Sequence, residues 1–461
     1  MLDVVIVGAG IAGLSAGISL RRAGHVVRIY ERSAMDNEVG AAINVSPNAA
    51  KFLTRWGLDP KASKFVKAES VHFQDPVTME IMSTLSHDAN EEFYDADLWY
   101  AHRVDLHDAL KRIATQPAGP GVPVTIHPNS RVVGYNPELP AVHLQDGEEI
   151  QCDLVVGADG IQSIASETVL GQKMPLVAPL LYNCCFRFLI PADVLEEDSE
   201  TKFWNEDSSG LIRLFPDNEK NRRIGSYPCR NNTIHNFVGI LYDEKMKDAI
   251  GEDYQTDVDK AELLERFNGF HPSLLAIINK ATEIKRWPLL SRAPLATWRK
   301  EEMVIIGDAA HPMLPHQGQA GSMSLEDGLA LGVVFAGVSD TSDVEKRLEL
   351  FEKIRRSRAS AIQILSNVGT DQTSLVEKDL LEFVPADEIP KNPQENVAFT
   401  FGYNVVDEAI KVMEEFDPSF HVPYNFFEDD FFDINHVNGE LSKMSELGFI
   451  KVETCISIDT E

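Results

Sequence analysis

Residues 1–31 read MLDVVIVGAGIAGLSAGISLRRAGHVVRIYE, and the order of their parts indicates the fold class. The apolar, β-branched run at residues 2–7 is typical of a buried strand, and residues 11–23 continue at helical period. A second apolar run, residues 26–30, ends at an acid, Glu31. Between the first strand and the helix stand three glycines in G-x-G-x-x-G spacing, Gly8, Gly10 and Gly13. Strand, glycine turn, helix, strand and terminal acid together predict a dinucleotide-binding βαβ unit.

Each part of this unit has a physical reason. Gly8 permits a tight turn, Gly10 lets the backbone approach a pyrophosphate, and Gly13 lets the helix pack closely on the strand. The helix N-terminus presents unpaired N–H groups to the phosphates. Glu31 can accept hydrogen bonds from ribose hydroxyls. The pattern does not separate FAD from NAD(P).

Composition and net charge limit the kinds of partner that this chain can bind. A chain of 461 residues is long enough for about two or three domains. The formal net charge of -30 argues against nucleic acid and anionic membrane surfaces as partners. No apolar run approaches the ~18–20 residues of a membrane span, and the first strand leaves no room for a signal peptide. The cysteines are odd in number and lack metal-ligand spacing, so we expect a reducing, cytoplasmic setting. They are Cys152, Cys184, Cys185, Cys229 and Cys455.

The rest of the chain predicts an interrupted nucleotide-binding fold. Apolar strands of the opening type are expected at residues 154–156 and 303–306. Between these two strands, closely spaced strand patterns indicate a mostly antiparallel sheet, and one helix is expected over residues 257–270. Those strand patterns lie at residues 180–190, 211–215, 223–228 and 236–242. Helices are further predicted at residues 324–338, 344–368 and 405–416, and an acidic loop is expected at residues 88–97.

Three motifs occur in a specific order. The first is the glycine turn with Glu31-Arg32, and the second is the run from Asp153 to Ser163, which contains Gly157-Ala158-Asp159-Gly160. The third is Gly307-Asp308-Ala309-Ala310-His311-Pro312, followed by Pro315, Gly318-Gln319 and Leu325-Glu326-Asp327. Taken together, they resemble the single-component, FAD-dependent aromatic hydroxylases of the para-hydroxybenzoate hydroxylase and salicylate hydroxylase type. The resemblance covers about residues 1–370 and is weakest near residues 70–98.

The resemblance implies an α/β architecture. A Rossmann-like FAD-binding domain would be interrupted by a mostly antiparallel β-sheet substrate domain and followed by a helical C-terminal extension. The FAD-binding domain would comprise residues 1–70, 101–174 and 290–368. Residues 71–100 and 175–289 would form the substrate domain, and residues 369–461 the extension.

The resemblance also implies where FAD is held. Glu31 would bind the adenosine ribose, Arg103 the pyrophosphate and Asp308 the ribityl hydroxyls, although Arg103 can also be read as an exposed charge at a helix start. The loop at residues 315–322 would lie along the isoalloxazine, with the following helix dipole facing its pyrimidine end. The full set implied is Gly8, Gly10, Ala12, Gly13, Glu31, Arg32, Ala42, Arg103, Asp159, Asp308, Gly318, Gln319, Ala320 and Gly321.

NAD(P)H use is implied as transient, with Asp159 and Gly160 in a motif that touches both cofactors in the family. The chain departs from the family pattern at two places. Ser166 and its neighbours stand where an arginine is usual, which weakens any expectation of how NAD(P)H is held. Ala320 stands where a glycine is usual, so flavin affinity or loop mobility can differ.

The family cycle supplies the chemistry that the resemblance implies. NAD(P)H reduces FAD, O₂ adds at carbon 4a, and the resulting hydroperoxide delivers one oxygen atom to an electron-rich aromatic carbon of a small-molecule substrate. A phenol reacts best as phenolate, so a cation is expected near its oxygen. We hypothesise that Arg187 and Tyr227 fill that role, with Pro315 of the flavin loop beside them. A solvent-facing Arg187 at a strand edge is the competing interpretation. His311 is expected to be structural, and the role of His316 is open.

Several alternative functions also fit the sequence. The same scaffold can epoxidise an alkene, reduce or dehydrogenate without activating O₂, or bind flavin without catalysis. A kynurenine-type enzyme is disfavoured because the chain lacks a C-terminal hydrophobic anchor. No spacing supports a metal site or a Ser-His-Asp hydrolase. The substrate, the regiochemistry, the choice of NADH or NADPH and a possible homodimer are not fixed by the sequence.

Overall fold

The computed structural model describes residues 1–36, 41–176, 179, 181–206, 208–246, 256–370 and 372–427. Cys455 and the last part of the predicted C-terminal extension lie outside the described residues, as does the first residue of the strand predicted at 180–190. Within the described ranges Cys152, Cys184, Cys185 and Cys229 are free thiols.

The strands are given first in chain order. They are β1 (Asp3–Val7), β2 (Val26–Tyr30), β3 (Ala42–Val45), β4 (Val66–Lys67), β5 (Ser70–Gln74), β6 (Ile81–Ser86), β7 (Trp99–His102), β8 (Thr125–His127), β9 (Val132–Asn136), β10 (Ala141–Leu144), β11 (Glu149–Gln151), β12 (Leu154–Gly157), β13 (Cys184–Pro191), β14 (Leu211–Asp217), β15 (Arg222–Cys229), β16 (Ile234–Leu241), β17 (Thr256–Asp257), β18 (Lys285–Pro288), β19 (Arg299–Lys300) and β20 (Met303–Ile305).

The α-helices follow in the same order. They are α1 (Ile11–Arg22), α2 (Pro47–Arg55), α3 (Asn90–Tyr94), α4 (Arg103–Thr115), α5 (Ile164–Leu170), α6 (Ala192–Glu196), α7 (Lys260–Arg266), α8 (Pro272–Ile278), α9 (Ala320–Phe335), α10 (Val344–Leu365), α11 (Glu377–Leu380), α12 (Pro393–Phe401) and α13 (Val405–Phe416). Two short 3₁₀ turns, Gly307–Ala309 and Pro315–Gln317, precede α9.

The nucleotide-binding layer is a six-stranded sheet in the order β19-β20-β12-β1-β2-β8. Its central strands are parallel: Val5 of β1 lies opposite Val155 of β12 on one side and Arg28 of β2 on the other. Helix α1 packs tightly on α9 because the facing residues are small. A Cβ on Gly328 would lie 2.2 Å from the Ser15 hydroxyl oxygen. Close packing of this kind fixes α9, and so the loop before it, against the glycine turn.

The second layer is an eight-stranded sheet in the order β17-β18-β13-β16-β15-β14-β5-β6. All of its pairings are antiparallel except that of β14 with β5. The α/β fold with an inserted, mostly antiparallel sheet and C-terminal helices is therefore confirmed. One face of this sheet packs Phe186, Phe215 and Phe237 in an apolar core with residues of α7 and α8. We call the opposite face, which carries Arg187, Arg223 and Tyr227, the inner face.

Two local predictions are wrong. The helix expected over residues 257–270 is shorter, α7, and a second helix, α8, follows it. Gly269 has φ of +90°, which ends the helical backbone, and Pro272 opens α8 behind the His271 cap. The acidic loop expected at 88–97 contains the short helix α3, and strand β6 was not predicted.

The C-terminal extension supplies α11 to α13. Helix α13 buries Val405, Ala409 and Met413 in the same core as the nucleotide-binding sheet. No helix in the described ranges combines the length and apolarity that crossing a membrane requires.

Candidate active site

A cavity of about 680 Å³ opens at the carboxyl ends of the parallel strands, beside the glycine turn. Six of the residues predicted to bind the cofactor line it, namely Gly8, Gly10, Glu31, Arg32, Arg103 and Asp159. Ligands of open α/β sheets bind at this edge, where the helix N-terminus also points. The structure therefore brings the ADP-binding part of the predicted site together.

The three glycines of the turn differ in the space that a Cβ atom would find at each of them. A Cβ on Gly8, whose φ is +102°, would lie 2.3 Å from the Ala158 carbonyl oxygen. A Cβ on Gly13 would lie 1.9 Å from the Gly8 carbonyl oxygen. Gly10 has no protein atom within 4 Å of such a position. Gly8 and Gly13 thus serve backbone packing, whereas Gly10 leaves open the space that a pyrophosphate needs.

Acidic and basic side chains both line the cavity. Glu31 accepts hydrogen bonds from the Ala9 and Ser33 backbone N–H groups at 2.8 Å each, so its carboxylate is held beside the turn. Arg103 is exposed at the first residue of α4, and its backbone N–H donates to the Ala41 carbonyl at 2.9 Å. A guanidinium at this position agrees with the predicted contact to a pyrophosphate, which stays a prediction.

Asp159 caps α5 and also faces the cavity. One carboxylate oxygen accepts from the Tyr135 hydroxyl at 3.0 Å and from the backbone N–H groups of Ile164 and Ala165 at 3.1 Å. Its other oxygen is buried without a hydrogen-bond partner among the described residues. Ser166, where an arginine was expected, is buried and hydrogen-bonded to Ser163. The chain therefore places no cation at that position.

The second part of the site is the segment that carries Asp308. Gly307, with φ of +60°, packs so closely that a Cβ would lie 2.6 Å from the Ala12 side chain. Asp308 is exposed next to it. The Gly307 backbone N–H donates to the Asp327 carboxylate at 2.8 Å. Ala12 and Asp327 thus fix the backbone that presents Asp308.

The predicted flavin loop packs on strand β3. A Cβ on Gly318 would lie 2.6 Å from the Asn44 amide nitrogen, and one on Gly321 would lie 2.7 Å from Ile43. The Gln319 amide donates to the Ser46 hydroxyl at 2.7 Å. Ala320 is the first residue of α9, whose 16 residues give the loop a helix N-terminus. The loop therefore packs directly on β3, and its predicted place beside the isoalloxazine stays a prediction.

A buried charge network under this loop was not predicted. Arg355 of α10 donates to Glu326 at 2.6 Å and to Asp327 at 2.9 Å. His311 contacts the same Asp327 carboxylate at 2.6 Å, and Asn48 donates to Glu326 at 2.6 Å. Although burial alone raises the pKa of Asp327, His311 and Arg355 hold that pKa below its ordinary value. His311 is therefore a structural partner of the carboxylate that fixes Gly307.

The inner face places the predicted catalytic side chains above strand β3. The Tyr227 hydroxyl donates to the Ala42 carbonyl at 3.0 Å, and the Asn236 side chain accepts from the Ala42 N–H at 3.3 Å. Burial raises the pKa of Tyr227 above its ordinary value despite the opposing charge of Arg187. Ala42, predicted from the resemblance, is thus held by two side chains of the inner face. Asn236 was missed because no local sequence signal marks it.

Arg187 is half-buried on β13 and hydrogen-bonded to the thiol of Cys185. In the strand register it shares a row with Val238 and Gly225, two rows from Tyr227 on the same face of the sheet. Pro315 begins the turn that faces the same region. Arg187 therefore does not lie at a strand edge, because β13 pairs with β16 and β18 on either side.

Comparison with known proteins agrees with this geometry. A family model described as an FAD binding domain matches residues 1–365. The chain is 44% identical over 426 residues to the FAD-dependent monooxygenase cfoG of Aspergillus candidus, covering 92% of this chain and 98% of that one. It is 33% identical to hispidin-3-hydroxylase of Neonothopanus nambi, covering 78% and 86%. A salicylate hydroxylase substrate complex superposes with a TM-score of 0.69 at 21% identity, covering 89% and 98%.

The cavity beside Gly10 and the Glu31 and Arg103 side chains that line it fit the ADP part of FAD. NAD(P)H use is typical of this family. With a family match over residues 1–365 and a relative at 44% identity, the chain belongs to the FAD-binding-domain family and is an FAD-dependent monooxygenase.

Proposed function

We propose that this monooxygenase hydroxylates an electron-rich aromatic substrate that binds on the inner face with a phenolic oxygen near Arg187. The observation that carries this proposal is a half-buried guanidinium on an otherwise apolar strand, two rows from Tyr227 on the same face of the sheet. A phenolate is the more reactive form of a phenol, and a positive charge on an apolar wall stabilises it.

Tyr227 acts as a positioning group in this proposal. Its raised pKa keeps the phenol neutral at physiological pH, and its proton is donated to Ala42. Tyr227 and Asn236 hold strand β3 in place, so β3 presents a fixed wall to the bound isoalloxazine. FAD, when bound and reduced by NAD(P)H, supplies the oxygen chemistry.

The C-terminal extension excludes water from this side of the sheet. Phe401 of α12 packs edge-on against Tyr94 at 5.8 Å between ring centroids and shares an apolar cluster with Tyr100 and Tyr227. Tyr100 lies 5.1 Å from Tyr227 and is fully buried. A dry site strengthens the attraction between Arg187 and a phenolate.

Two related proteins support the substrate class. The names hispidin-3-hydroxylase and salicylate hydroxylase both describe hydroxylation of a compound that already carries a ring hydroxyl. The Arg187 guanidinium suits such a substrate better than an uncharged alkene, because a phenolate carries a negative charge and an alkene does not.

The direct test is turnover of a phenol panel by the FAD-loaded chain under ¹⁸O₂ with NADPH. We expect one labelled oxygen atom in an aromatic product. An epoxide product, or NADPH oxidation that yields only peroxide with every compound, contradicts the proposal.

Arg187→Gln tests the proposed role of the cation. Because hydrogen bonds to charged groups are worth about 1.5–3 kcal/mol, kcat/KM should fall by roughly 10- to 100-fold. Lys220→Gln is the matched control, since Lys220 is exposed in the turn between β14 and β15 of the same sheet. Equal kcat/KM for Arg187→Gln and wild type would remove Arg187 from the site.

A further inference from the structure

A second polar cluster lies on the inner face, four residues before Tyr227 on the same strand. The Arg223 guanidinium donates to the Tyr182 hydroxyl and lies 4.4 Å from the centre of the Tyr182 ring. It also reaches the Gln372 side-chain oxygen at 3.5 Å. The His316 ring, next to Pro315 in the flavin loop, lies 5.0 Å from the Tyr182 ring. The sheet, the flavin loop and the segment after α10 therefore converge on one point.

Three polar atoms in this cluster are buried without hydrogen-bond partners among the described residues. They are the Nε of Arg223 and both ring nitrogens of His316. Leaving a buried donor or acceptor unpaired is unfavourable, so a ligand that pairs with these atoms gains affinity. The three atoms surround one point beside the predicted flavin loop, which is the arrangement of a binding site without its ligand.

The unpaired groups define the chemistry of the ligand. Burial first, and the Arg223 cation second, lower the pKa of His316 to about 3, so the imidazole is neutral and carries one N–H. The cluster then offers two N–H donors and one fixed positive charge. Its walls are apolar, since Tyr182, Ile240 and Leu314 belong to one buried cluster. A guanidinium and an N–H donor on an apolar wall suit an anionic oxygen attached to a ring.

We propose that Arg223 and His316 form an anion-binding subsite that holds a second ionised oxygen of the aromatic substrate, either a carboxylate or an acidic enol or phenol oxygen. The proposal rests on the proposed aromatic hydroxylation and deepens it by naming a second charged group on the substrate.

The position of the subsite sets the distance between the two charged groups. In the strand register Arg223 stands two residues from Gly225, which lies in the row of Arg187 and Val238, and β15 is two strands away from β13. The two arginines are therefore offset by about 7 Å along the strands and about 10 Å across them. A Cβ on Gly225 would lie 2.9 Å from the Leu214 side chain, so an apolar side chain lies over the strand between the two arginines. The substrate would present one oxygen to each arginine.

The test compares benzoate with benzamide, which have nearly the same shape and differ in charge. Isothermal titration of the FAD-loaded full chain gives the affinity of each compound. We expect benzoate to bind at least ~10-fold more tightly, as a charge-assisted hydrogen bond implies, and Arg223→Gln to abolish that preference. Lys220→Gln, which removes an exposed charge from the same hairpin, should retain it.

Several results would overturn the subsite. Equal affinities for the two compounds, no heat from either at millimolar concentration, or an unchanged preference in Arg223→Gln each contradict it. If Arg223→Gln fails to retain FAD, His316→Leu replaces it, and an unchanged affinity for benzoate in that variant contradicts the subsite as well. Loss of aromatic ¹⁸O incorporation with an intact benzoate preference would reject the proposed function alone.

Discussion

Two buried polar clusters flank the flavin loop, and they are built in opposite ways. In the network around Arg355, the cation contacts Glu326 and Asp327 within 2.9 Å, and each carboxylate has a further partner in Asn48 or His311. In the cluster around Arg223, three polar atoms are unpaired among the described residues, and the facing groups are an aromatic hydroxyl and an amide. Opposite charges neutralise the first cluster, whereas in the second no carboxylate of the described ranges is hydrogen-bonded to Arg223 or His316.

The difference indicates how each cluster contributes. A buried charge that is paired and hydrogen-bonded stabilises one arrangement of the chain, because removing one partner leaves the other groups buried and unpaired. A buried cation without an anion is destabilising in the free protein, and natural proteins retain such groups mainly where a ligand completes them. The Arg355 network fixes the backbone at Gly307, whereas we assign the Arg223 cluster to substrate binding.

Arg355→Met should have the largest effect on stability. The substitution removes the cation that two fully buried carboxylates share, leaving Glu326 with Arg358 at 3.5 Å and Asp327 with His311 at 2.6 Å, and breaking such a pair costs about 3–5 kcal/mol. Urea denaturation of the FAD-free chain should show that loss, and FAD retention should fall because Asp327 also holds Gly307.

Lys346→Met on the same helix is the control for Arg355. Lys346 is exposed and pairs with Glu349, so its replacement should change the free energy of unfolding by no more than about 0.5 kcal/mol. A loss below 1 kcal/mol (about a fivefold change in the folding equilibrium) for Arg355→Met would mean that the network does not stabilise the loop.

Two glycine variants extend the comparison to the glycine turn, where backbone atoms and not side chains form the site. In Gly13→Ala the added methyl group would lie 1.9 Å from the Gly8 carbonyl oxygen, so overpacking should cost about 1–3 kcal/mol. In Gly10→Ala the methyl group meets open space, so stability should be retained while FAD affinity falls. Thermal unfolding of the FAD-free chain and fluorescence titration with FAD separate the two outcomes. Equal stability loss in both variants contradicts the assignment of Gly10 to the cofactor.

Acid should weaken the fold through His316, with a smaller effect. In the unfolded chain this imidazole gains a proton near pH ~6.5, whereas its folded pKa is about 3, so the unfolded state binds more protons between those values. Stability from this group is therefore full above pH ~6.5 and is lost as pH falls, by about 2 kcal/mol at pH ~5.

His316→Leu isolates that contribution. Between pH 7 and pH ~4.5 its free energy of unfolding should fall less steeply than that of wild type, and at pH 7 it should be unchanged or slightly higher because two unpaired polar atoms are removed. Parallel slopes for the two proteins in urea denaturation would show that His316 titrates normally.

The sequence predicted the strands and turn residues that a local pattern of residues encodes. Strands β1, β2, β12 and β20 follow from apolar runs, and Gly8, Gly10 and Glu31 follow from spacing that a tight turn requires. The break between α7 and α8 carried its own signals, Gly269 and Pro272, which the apolar periodicity of the segment masked.

The side-chain clusters could not be predicted in that way. Gln319 and Ser46 are 273 residues apart, and Tyr227 and Ala42 are 185 apart. Only the folded topology brings such residues together, and neither Asn236 nor Tyr182 lies in a motif. Arg187 and His316 were noticed for their chemistry, but their neighbours come from strand register and loop packing.

The most direct test of the account is the rate at which NADPH reduces the bound FAD without oxygen, measured by stopped-flow absorbance with and without a phenol that also carries a carboxylate. Substrate-gated hydroxylation predicts faster bleaching of the flavin band near ~450 nm when the aromatic compound is bound, and no such acceleration in Arg187→Gln. A reduction rate that no aromatic compound changes would contradict the account and favour a flavin reductase.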